Sequence, residues 1–165
     1  MRQIVSDTGP LLHLHEAACL DLLKHAGTMA IPKAVDSEMV QHVRAWHTRK
    51  LPWITVTAVI APYDAQAMGW QQGGLLEAGE AEAIALARQL RATWLLTDDT
   101  AARVFATALG FEVHGSLGIV LWAAAHGHLS REESVTALDR LAHSSLWISS
   151  RVLAEARAAL DRLFP

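Results

Sequence analysis

Acidic residues recur where a strand pattern ends or a helix pattern begins. They are Asp7, Glu38, Glu80, Glu82, Asp98 and Asp99. Asp7 directly follows the run QIVS at residues 3–6, and Asp98 directly follows TWLLT at residues 93–97. Ligands of open α/β sheets bind beyond the carboxyl ends of the strands. The positions of these acids therefore predict that their side chains share one site.

Several carboxylates at one site need a cation to balance their charge. Like charges a few ångströms apart raise one another's pKa or force a proton to be shared. A divalent metal removes this conflict, and oxygen-only ligation suits Mg²⁺ or Mn²⁺, which also bind substrate phosphate. Such ions activate water and stabilise in-line displacement at phosphorus. The acidic pattern therefore indicates a metal site capable of phosphoester chemistry.

Each acid also has a structural interpretation, which the sequence leaves open. Asp7 and Asp99 stand where an N-cap residue is expected at the start of a helix. Glu80 suits the first turn of a helix because of the helix dipole, and Glu38 could be a solvated helix residue. Singly, each structural interpretation has at least the weight of the metal interpretation, whereas four acids placed in this way are harder to attribute to structure alone.

Composition limits the class of protein. The 165 residues favour one domain spanning residues 1–165, with a substantial core. The formal net charge of −3 argues against a basic surface that coats nucleic acid or an anionic membrane, although it does not exclude a nuclease. The nine histidines are scattered without HExxH spacing, and we interpret most of them as surface or helix-end residues.

The cytoplasm is the expected location. No apolar run reaches the roughly 18 residues that a transmembrane helix needs, and the opening MRQIVSDTG lacks the pattern of a signal peptide. The single cysteine, Cys19, excludes an internal disulfide framework. It lies in a helical pattern and is interpreted as a small core residue.

Strand and helix patterns alternate along almost the whole chain. The predicted strands are residues 3–6, 28–31, 53–59, 93–97, 111–115 and 146–150. The predicted helices are residues 10–26, 32–46, 79–92, 99–110 and 116–127, one that starts at the capping box 130–133, one that ends near residue 163, and a short helix followed by a loop within 61–78. Short apolar strands between helices are typical of an α/β protein with a mainly parallel sheet.

Four stretches resemble PIN-domain proteins, in the subgroup close to VapC-type toxin ribonucleases. They are IVSDTGPLLHL at 4–14, IPKAVDSEM at 31–39, LLEAGEAEAIALA at 75–87 and LLTDDTAARVFATALGFEVHGSLGIVL at 95–121. The resemblance covers roughly residues 1–150, and the later LWISSRVLAEAR fits the closing strand and helix of the subgroup. It implies a three-layer α/β/α fold with a central mainly parallel sheet, Mg²⁺ or Mn²⁺ bound by acids, and cleavage of RNA.

The resemblance also implies roles for individual residues. The catalytic set is Asp7, Glu38, Glu80, Asp98 and Asp99. Within this set Asp7, Glu80 and Asp98 rank first as direct or water-mediated metal ligands, and Glu38 and Asp99 follow. Glu82 is the alternative to Glu80, because the sequence does not settle which of the two side chains faces the pocket.

Two hydroxyl groups stand at strand-to-helix junctions near these acids. Thr8 and Ser116 would orient metal-bound waters or phosphate, or else they cap helices, and both interpretations stay open. The first motif reads SDTGP, where the subgroup more often has serine in place of Gly9. Glycine allows the turn but removes one hydroxyl, so it puts a supporting contact in doubt and leaves the carboxylate in place.

The leading prediction is a Mg²⁺- or Mn²⁺-dependent endoribonuclease that is the toxin of a toxin–antitoxin pair. Attack by metal-activated water would leave 5′-phosphate and 3′-hydroxyl ends, whereas attack by the 2′-hydroxyl of the RNA would leave a cyclic phosphate. The alternatives are a non-catalytic or regulatory PIN-like module held by an antitoxin-like partner, and a nuclease or phosphatase that uses the same metals, including one that acts on DNA.

Few basic residues are available to hold RNA. Arg44, Arg49 and Lys50 follow the second helix pattern, and Arg103 lies one turn beyond Asp99. The first three could form an ordinary solvated loop. Arg103 could instead pair with Asp99 at i,i+4 spacing. We favour both of these structural interpretations.

The resemblance implies two protein partners, a small antitoxin and a second copy of the chain. Trp46, Trp53 and Trp70 lie in or beside less regular segments, where aromatic residues either mark an interface or fill the core. The residues alone slightly favour the core. The resemblance shifts the prediction toward a homodimer.

Overall fold

A computed structural model describes residues 1–47 and 51–165. The described chain is built around a five-stranded, wholly parallel sheet with strand order β3-β2-β1-β4-β5. The strands are β1 (Gln3–Ser6), β2 (Thr28–Pro32), β3 (Ile54–Thr57), β4 (Trp94–Leu96) and β5 (Glu112–His114). The predicted α/β architecture with a central parallel sheet is confirmed.

Helices connect and cover the parallel strands. Those in the described ranges are α1 (Thr8–Glu16), α2 (Leu23–Ala26), α3 (Lys33–His42), α4 (Tyr63–Gln72), α5 (Ala78–Leu90), α6 (Thr100–Ala108), α7 (Ser116–Ala125), α8 (Arg131–Ala142) and α9 (Ser150–Leu163). Helix α5 packs against β1, β2 and β4, and α7 packs against β5, α8 and α9. None of the helices in residues 1–47 and 51–165 is long and apolar enough to cross a membrane.

The middle strand β1 and its neighbour β4 contribute buried residues to the core. Ile4, Val5, Leu95 and Leu96 are buried on β1 and β4. A strand that is covered on both faces needs apolar residues at every position, which explains the continuous apolar runs of these segments. Their carboxyl ends lie side by side, because the N–H of Asp7 donates to the carbonyl of Leu96 (2.9 Å). The chain segments that follow β1 and β4 therefore leave the sheet next to each other.

The helix predicted at residues 10–26 is wrong in its extent. Helix α1 begins earlier, at Thr8, and ends at Glu16. Ala18 then takes a left-handed conformation (φ 57°), and the N–H of Cys19 donates to the carbonyl of Leu14 (2.8 Å). A short 3₁₀ turn and α2 follow this reversal. Cys19 is a free, buried thiol, which confirms its interpretation as a core residue, although it lies outside a helix.

The helix predicted at residues 32–46 is also shorter than expected. Helix α3 ends at His42, and Val43 is extended (φ −118°, ψ 108°). The following residues fold back, because the indole N–H of Trp46 donates to Asp36 on α3 (2.8 Å). Trp46 is therefore buried rather than available for an interface.

The strand predicted at residues 146–150 is wrong, because residues 146–149 form no strand and α9 begins at Ser150. Serine side chains bind backbone groups that a strand would have paired. The Ser144 hydroxyl accepts from the N–H of Leu146 (3.2 Å), and the Ser149 hydroxyl accepts from the N–H of Val152 (3.2 Å). These local bonds favour turns and helix caps over a ladder.

Candidate active site

Asp7 lies at the junction between β1 and α1 and is 7% exposed. Its carboxylate accepts from the N–H of Thr8 (2.7 Å) and from the hydroxyl of Thr97 (3.2 Å). Burial raises the pKa of Asp7 to about 7, with smaller upward contributions from the charges of Glu80 and Glu38 that oppose the lowering by these two hydrogen bonds. Desolvation of the carboxyl group, which disfavours its charged form, is the largest cause of this direction.

The first turn of α5 places Glu80 next to the same acids. Glu77 and Glu80 form a capping box, in which Glu80 accepts from the N–H of Glu77 (3.0 Å). Burial raises the pKa of Glu80, and the charges of Asp99, Glu77 and Glu38 add to the rise. Glu80 is therefore a partly buried acid surrounded by carboxylates.

Glu82 belongs to a different environment. Its carboxylate accepts from the N–H of Ala34 in the first turn of α3 (3.1 Å). The backbone of a helix start satisfies this side chain, and Glu82 is absent from the lining of the cleft that Glu80 helps to form among the described residues. The structure thus places Glu80, and not Glu82, with the other candidate acids.

Glu38 reaches the cleft from α3. The hydroxyl of Thr8 donates to Glu38 Oε2. The glutamate lies against the first turn of α5, where a Cβ atom added to Gly79 would stand 2.6 Å from Glu38 Oε2. Glycine at residue 79 therefore allows α5 to approach this carboxylate. Thr8, the first residue of α1, also binds the Glu38 carboxylate through its hydroxyl.

Asp98 is held by both neighbouring helices at the carboxyl end of β4. One oxygen accepts from the N–H of Ser116 (2.7 Å). The other accepts from the Ser116 hydroxyl (2.5 Å) and lies 2.7 Å from Nδ1 of His13. Ser116 begins α7, and His13 projects from α1. The hydroxyl of Ser116 therefore bonds an acid of the site.

Asp99 caps α6, as its structural interpretation predicts. Its side chain accepts from the N–H of Ala102 (2.8 Å), and its own N–H donates to the Thr97 hydroxyl (3.2 Å). Arg103 does not pair with Asp99. Its guanidinium donates instead to the carbonyl of Thr97 (3.5 Å). Capping does not remove Asp99 from the site, because the residue also lines the shared cleft.

One cleft of about 440 Å³ brings these groups together. Its described lining includes six acids, which are Asp7, Glu38, Glu77, Glu80, Asp98 and Asp99. Thr8, Gly9, His13 and Trp147 line it as well. Within the described part of the chain no lysine or arginine lines this cleft. The lining is therefore rich in carboxylates, which attract cations and repel phosphate when ionised.

The acids fit a divalent metal by their chemistry. In the described ranges no three His, Cys, Asp or Glu side chains are grouped so that they could hold a metal ion directly. Mg²⁺ usually keeps several waters and takes only one or two carboxylates directly, so a looser ring of acids suits it. Neighbouring carboxylates that raise one another's pKa, as those around Asp7 and Glu80 do, are the groups that such a cation would stabilise.

Sequence reasoning did not single out Thr97, His13, Glu77 or Trp147. A signal for Glu77 exists, because Glu77 and Glu80 have the spacing of a capping box. His13 was grouped with helix-end histidines, and its contact with Asp98 joins residues 85 positions apart. Trp147 lies in the segment that was wrongly predicted as a strand.

The structure describes only some of the basic residues that were considered as candidates for holding RNA. Arg44 lines a separate groove with His15, His42 and Glu16, which meets the acidic cleft at Ser145. Arg49 and Lys50 lie outside the described residues. Trp53 and Trp70 are half-buried and pack against the core.

The fold and this site together define the class of protein, an α/β protein with an acidic cleft at the carboxyl edge of a parallel sheet. The family model of the PIN domain matches residues 3–162, so the chain belongs to the PIN-domain family. PIN domains are generally nucleases and typically use divalent metals. No curated protein matches the chain.

Proposed function

We propose that the protein is a Mg²⁺- or Mn²⁺-dependent endoribonuclease. The observation that supports this proposal most is the convergence of six acids on one cleft whose described lining lacks lysine and arginine. These acids follow β1 and β4, lie on α3, or stand at the start of α5. Such a site needs a cation before it can accept a phosphodiester. Family membership supports nuclease chemistry, and the choice of RNA rests on the resemblance to VapC-type proteins.

Asp7, Glu80, Asp98 and Asp99 would hold the metal, with Glu38 close by. When bound, Mg²⁺ or Mn²⁺ lowers the pKa of a coordinated water and offsets charge that develops on the reacting phosphate. The residues of the chain orient the donors. Hydrogen bonds from Thr8 and Thr97 fix the carboxylate of Asp7.

The other donors are fixed in a similar way. The N–H of Ser116 donates to one oxygen of the Asp98 carboxylate, the Ser116 hydroxyl and His13 contact the other, and the Thr8 hydroxyl donates to Glu38. Carboxylates that are already oriented lose less freedom when they bind a cation and position a phosphate. Thr8 and Ser116 thus act through the acids they contact.

A cleavage assay tests this proposal. Single-stranded RNA, structured RNA, single-stranded DNA and duplex DNA are each incubated with the protein in Mg²⁺, Mn²⁺ or EDTA. We expect cleavage of RNA only, with either metal, and products that carry 5′-phosphate and 3′-hydroxyl ends. Equal cleavage of DNA would reject the choice of RNA, and cyclic phosphate ends would reject attack by water.

We also propose the toxin role, an antitoxin partner and homodimer formation, all by resemblance. One feature of the site favours a partner that supplies a cation. The cleft presents six acids and, among the described lining residues, no lysine or arginine, so a lysine or arginine of an antitoxin would find complementary charge there. Co-expression with the protein encoded next to it, followed by purification, tests this role.

Gly79→Ala is expected to reduce metal-dependent cleavage roughly 10-fold without unfolding the protein. The new Cβ would stand 2.6 Å and 2.7 Å from the two Glu38 oxygens, so Glu38 must move away from α5. Displaced groups around a metal site typically cost about 10–100-fold in affinity or activity, while alanine favours the helix.

Gly69→Ala on α4 is the matched control, because a Cβ there meets nothing within 4 Å beyond its chain neighbours and the backbone of its own helix. The rate of cleavage and the thermal midpoint are measured for both variants. A Gly79→Ala protein with the same rate as Gly69→Ala would show that Glu38 does not need its observed position.

A further inference from the structure

A solvent-exposed tryptophan stands on the wall of the acidic cleft. Trp147 is 85% exposed and lines the cleft together with the candidate acids. A large aromatic side chain with this exposure gives up burial that it would gain in the core. Since Trp147 borders the proposed site, contact with a ligand of that site would account for its position.

Hydrogen bonds anchor the segment that presents Trp147. Glu16 at the end of α1 accepts from both the N–H (3.1 Å) and the hydroxyl (2.5 Å) of Ser145. The hydroxyl of Ser144 donates to the carbonyl of Leu141 (2.6 Å) and accepts from the N–H of Leu146. On the far side, Ser149 caps α9. The backbone on both sides of Trp147 is therefore fixed before a ligand arrives.

The charge of the cleft limits which part of a nucleic acid this wall can hold. Phosphates beyond the one that the metal neutralises would meet carboxylates, and no arginine or lysine of the described chain lines the cleft to compensate them. A nucleobase is uncharged and presents a flat π face to an aromatic ring. Among the described lining residues only Trp147 offers a large, exposed aromatic surface for such stacking.

We propose that Trp147 is a stacking platform for an unpaired nucleobase beside the scissile phosphate of single-stranded RNA. This inference rests on the proposed function, since the cleft is taken as the place where RNA is cut. Stacking requires a base that is free of its pairing partner, so the platform selects single-stranded or looped RNA over duplex. Stacking would bind the RNA at a cleft whose described lining offers no lysine or arginine to contact it.

Binding of a short, fluorescently labelled single-stranded oligoribonucleotide tests the proposal. Anisotropy is measured with Glu80→Gln protein, so that the RNA stays intact, in the presence of Mg²⁺. We expect Trp147→Ala in this background to weaken binding about 10-fold or more, the effect of losing one base–aromatic stack. Trp147→Phe should retain most of the affinity, whereas Trp147→Leu, which is apolar but not aromatic, should resemble Trp147→Ala.

Met68→Ala is the control, because Met68 is an exposed apolar residue on α4 outside the cleft. Equal affinity of the parent and Trp147→Ala, equal binding by Trp147→Leu and Trp147→Phe, or no binding of the oligonucleotide would overturn the platform. Steady-state cleavage kinetics of Trp147→Ala in an otherwise wild-type protein test the platform separately from the proposed nuclease function. The platform predicts a raised KM with little change in kcat for Trp147→Ala.

The two ideas fail separately. If the wild type cleaves RNA and Trp147→Ala has an unchanged KM, the nuclease stands and the platform is rejected. If Trp147-dependent binding is found but the wild type cuts no RNA in either metal, the nuclease and the scissile phosphate are rejected, and Trp147 remains only as a stacking contact for bound RNA. Trp147-dependent binding of an antitoxin with unchanged RNA binding would assign the residue to a protein interface and reject the platform.

Discussion

Asp7→Asn is expected to reduce metal-dependent RNA cleavage by roughly 100-fold or more. The substitution keeps the size of the side chain, and an amide oxygen can still accept from the N–H of Thr8. It removes one negative charge from the buried centre of the acidic cleft, so the site would hold the cation less well. The initial rate of cleavage is measured over a range of Mg²⁺ and Mn²⁺ concentrations.

Two glutamates on α5 provide a matched comparison for this result. Glu80→Gln should lose activity as Asp7→Asn does, because Glu80 lines the cleft. Glu82→Gln should keep full activity, since its side chain accepts from the N–H of Ala34 and an amide oxygen can do the same. Equal loss in both glutamine variants would contradict the assignment of Glu80, and full activity of Asp7→Asn would point to a contaminating nuclease.

The sequence predicted the acids of the site because their placement follows local rules. Asp7 directly follows β1, Asp98 follows the end of β4 by two residues, and the carboxyl ends of neighbouring parallel strands share an edge. The pattern of α/β alternation was sufficient to bring them together. The role of each acid stays a prediction, because proximity does not show which carboxylate binds a metal.

Other features depend on contacts that local patterns do not encode. The choice between Glu80 and Glu82 rests on how α3 and α5 pack, since Glu82 is occupied by the start of α3. His13 meets Asp98 only because α1 and β4 are brought together by the sheet. Periodicity placed His13 on a helix but could not identify its partner.

The incorrect prediction of a strand at residues 146–150 shows a limit of strand propensity. Its composition, LWISS, contains residues that favour strands. In the structure the hydroxyls of Ser144 and Ser149 compete for backbone N–H groups, and Glu16, 129 positions away, anchors Ser145. The competing bonds involve side chains and a distant residue, so strand propensity alone gave the wrong element.

The same substitution is expected to raise the stability of the metal-free protein, although it lowers the activity. In EDTA at pH 8, Asp7→Asn should unfold at a higher temperature than the wild type. Burial raises the pKa of Asp7 from 3.8 to about 7 in the folded protein. Stability that the neutral carboxyl gives is present below pH 4 and is lost as the pH rises through about 7. Above pH 7 the wild type carries a buried charge that asparagine lacks.

The size and pH range of this effect follow from the same shift. It corresponds to at most about 4 kcal/mol at pH 8, or on the order of 10 °C in Tm for a chain of this length. Near pH 4 the two proteins should have similar Tm values. Asp21→Asn is the control, because Asp21 is an exposed partner of Lys24, and its Tm difference from the wild type should not show this pH dependence.

Addition of Mn²⁺ at pH 8 should reverse the order of the two proteins. A metal binds the ionised carboxylate, so it stabilises the wild type more than Asp7→Asn, and the gain grows with metal concentration. Calorimetry or thermal shift with and without Mn²⁺ measures both signs. A wild type that is more stable than Asp7→Asn in EDTA at pH 8 would contradict the raised pKa. A wild type that gains no stability from Mn²⁺ would contradict the metal site. A buried carboxylate that binds a cation should lower stability only while the cation is absent.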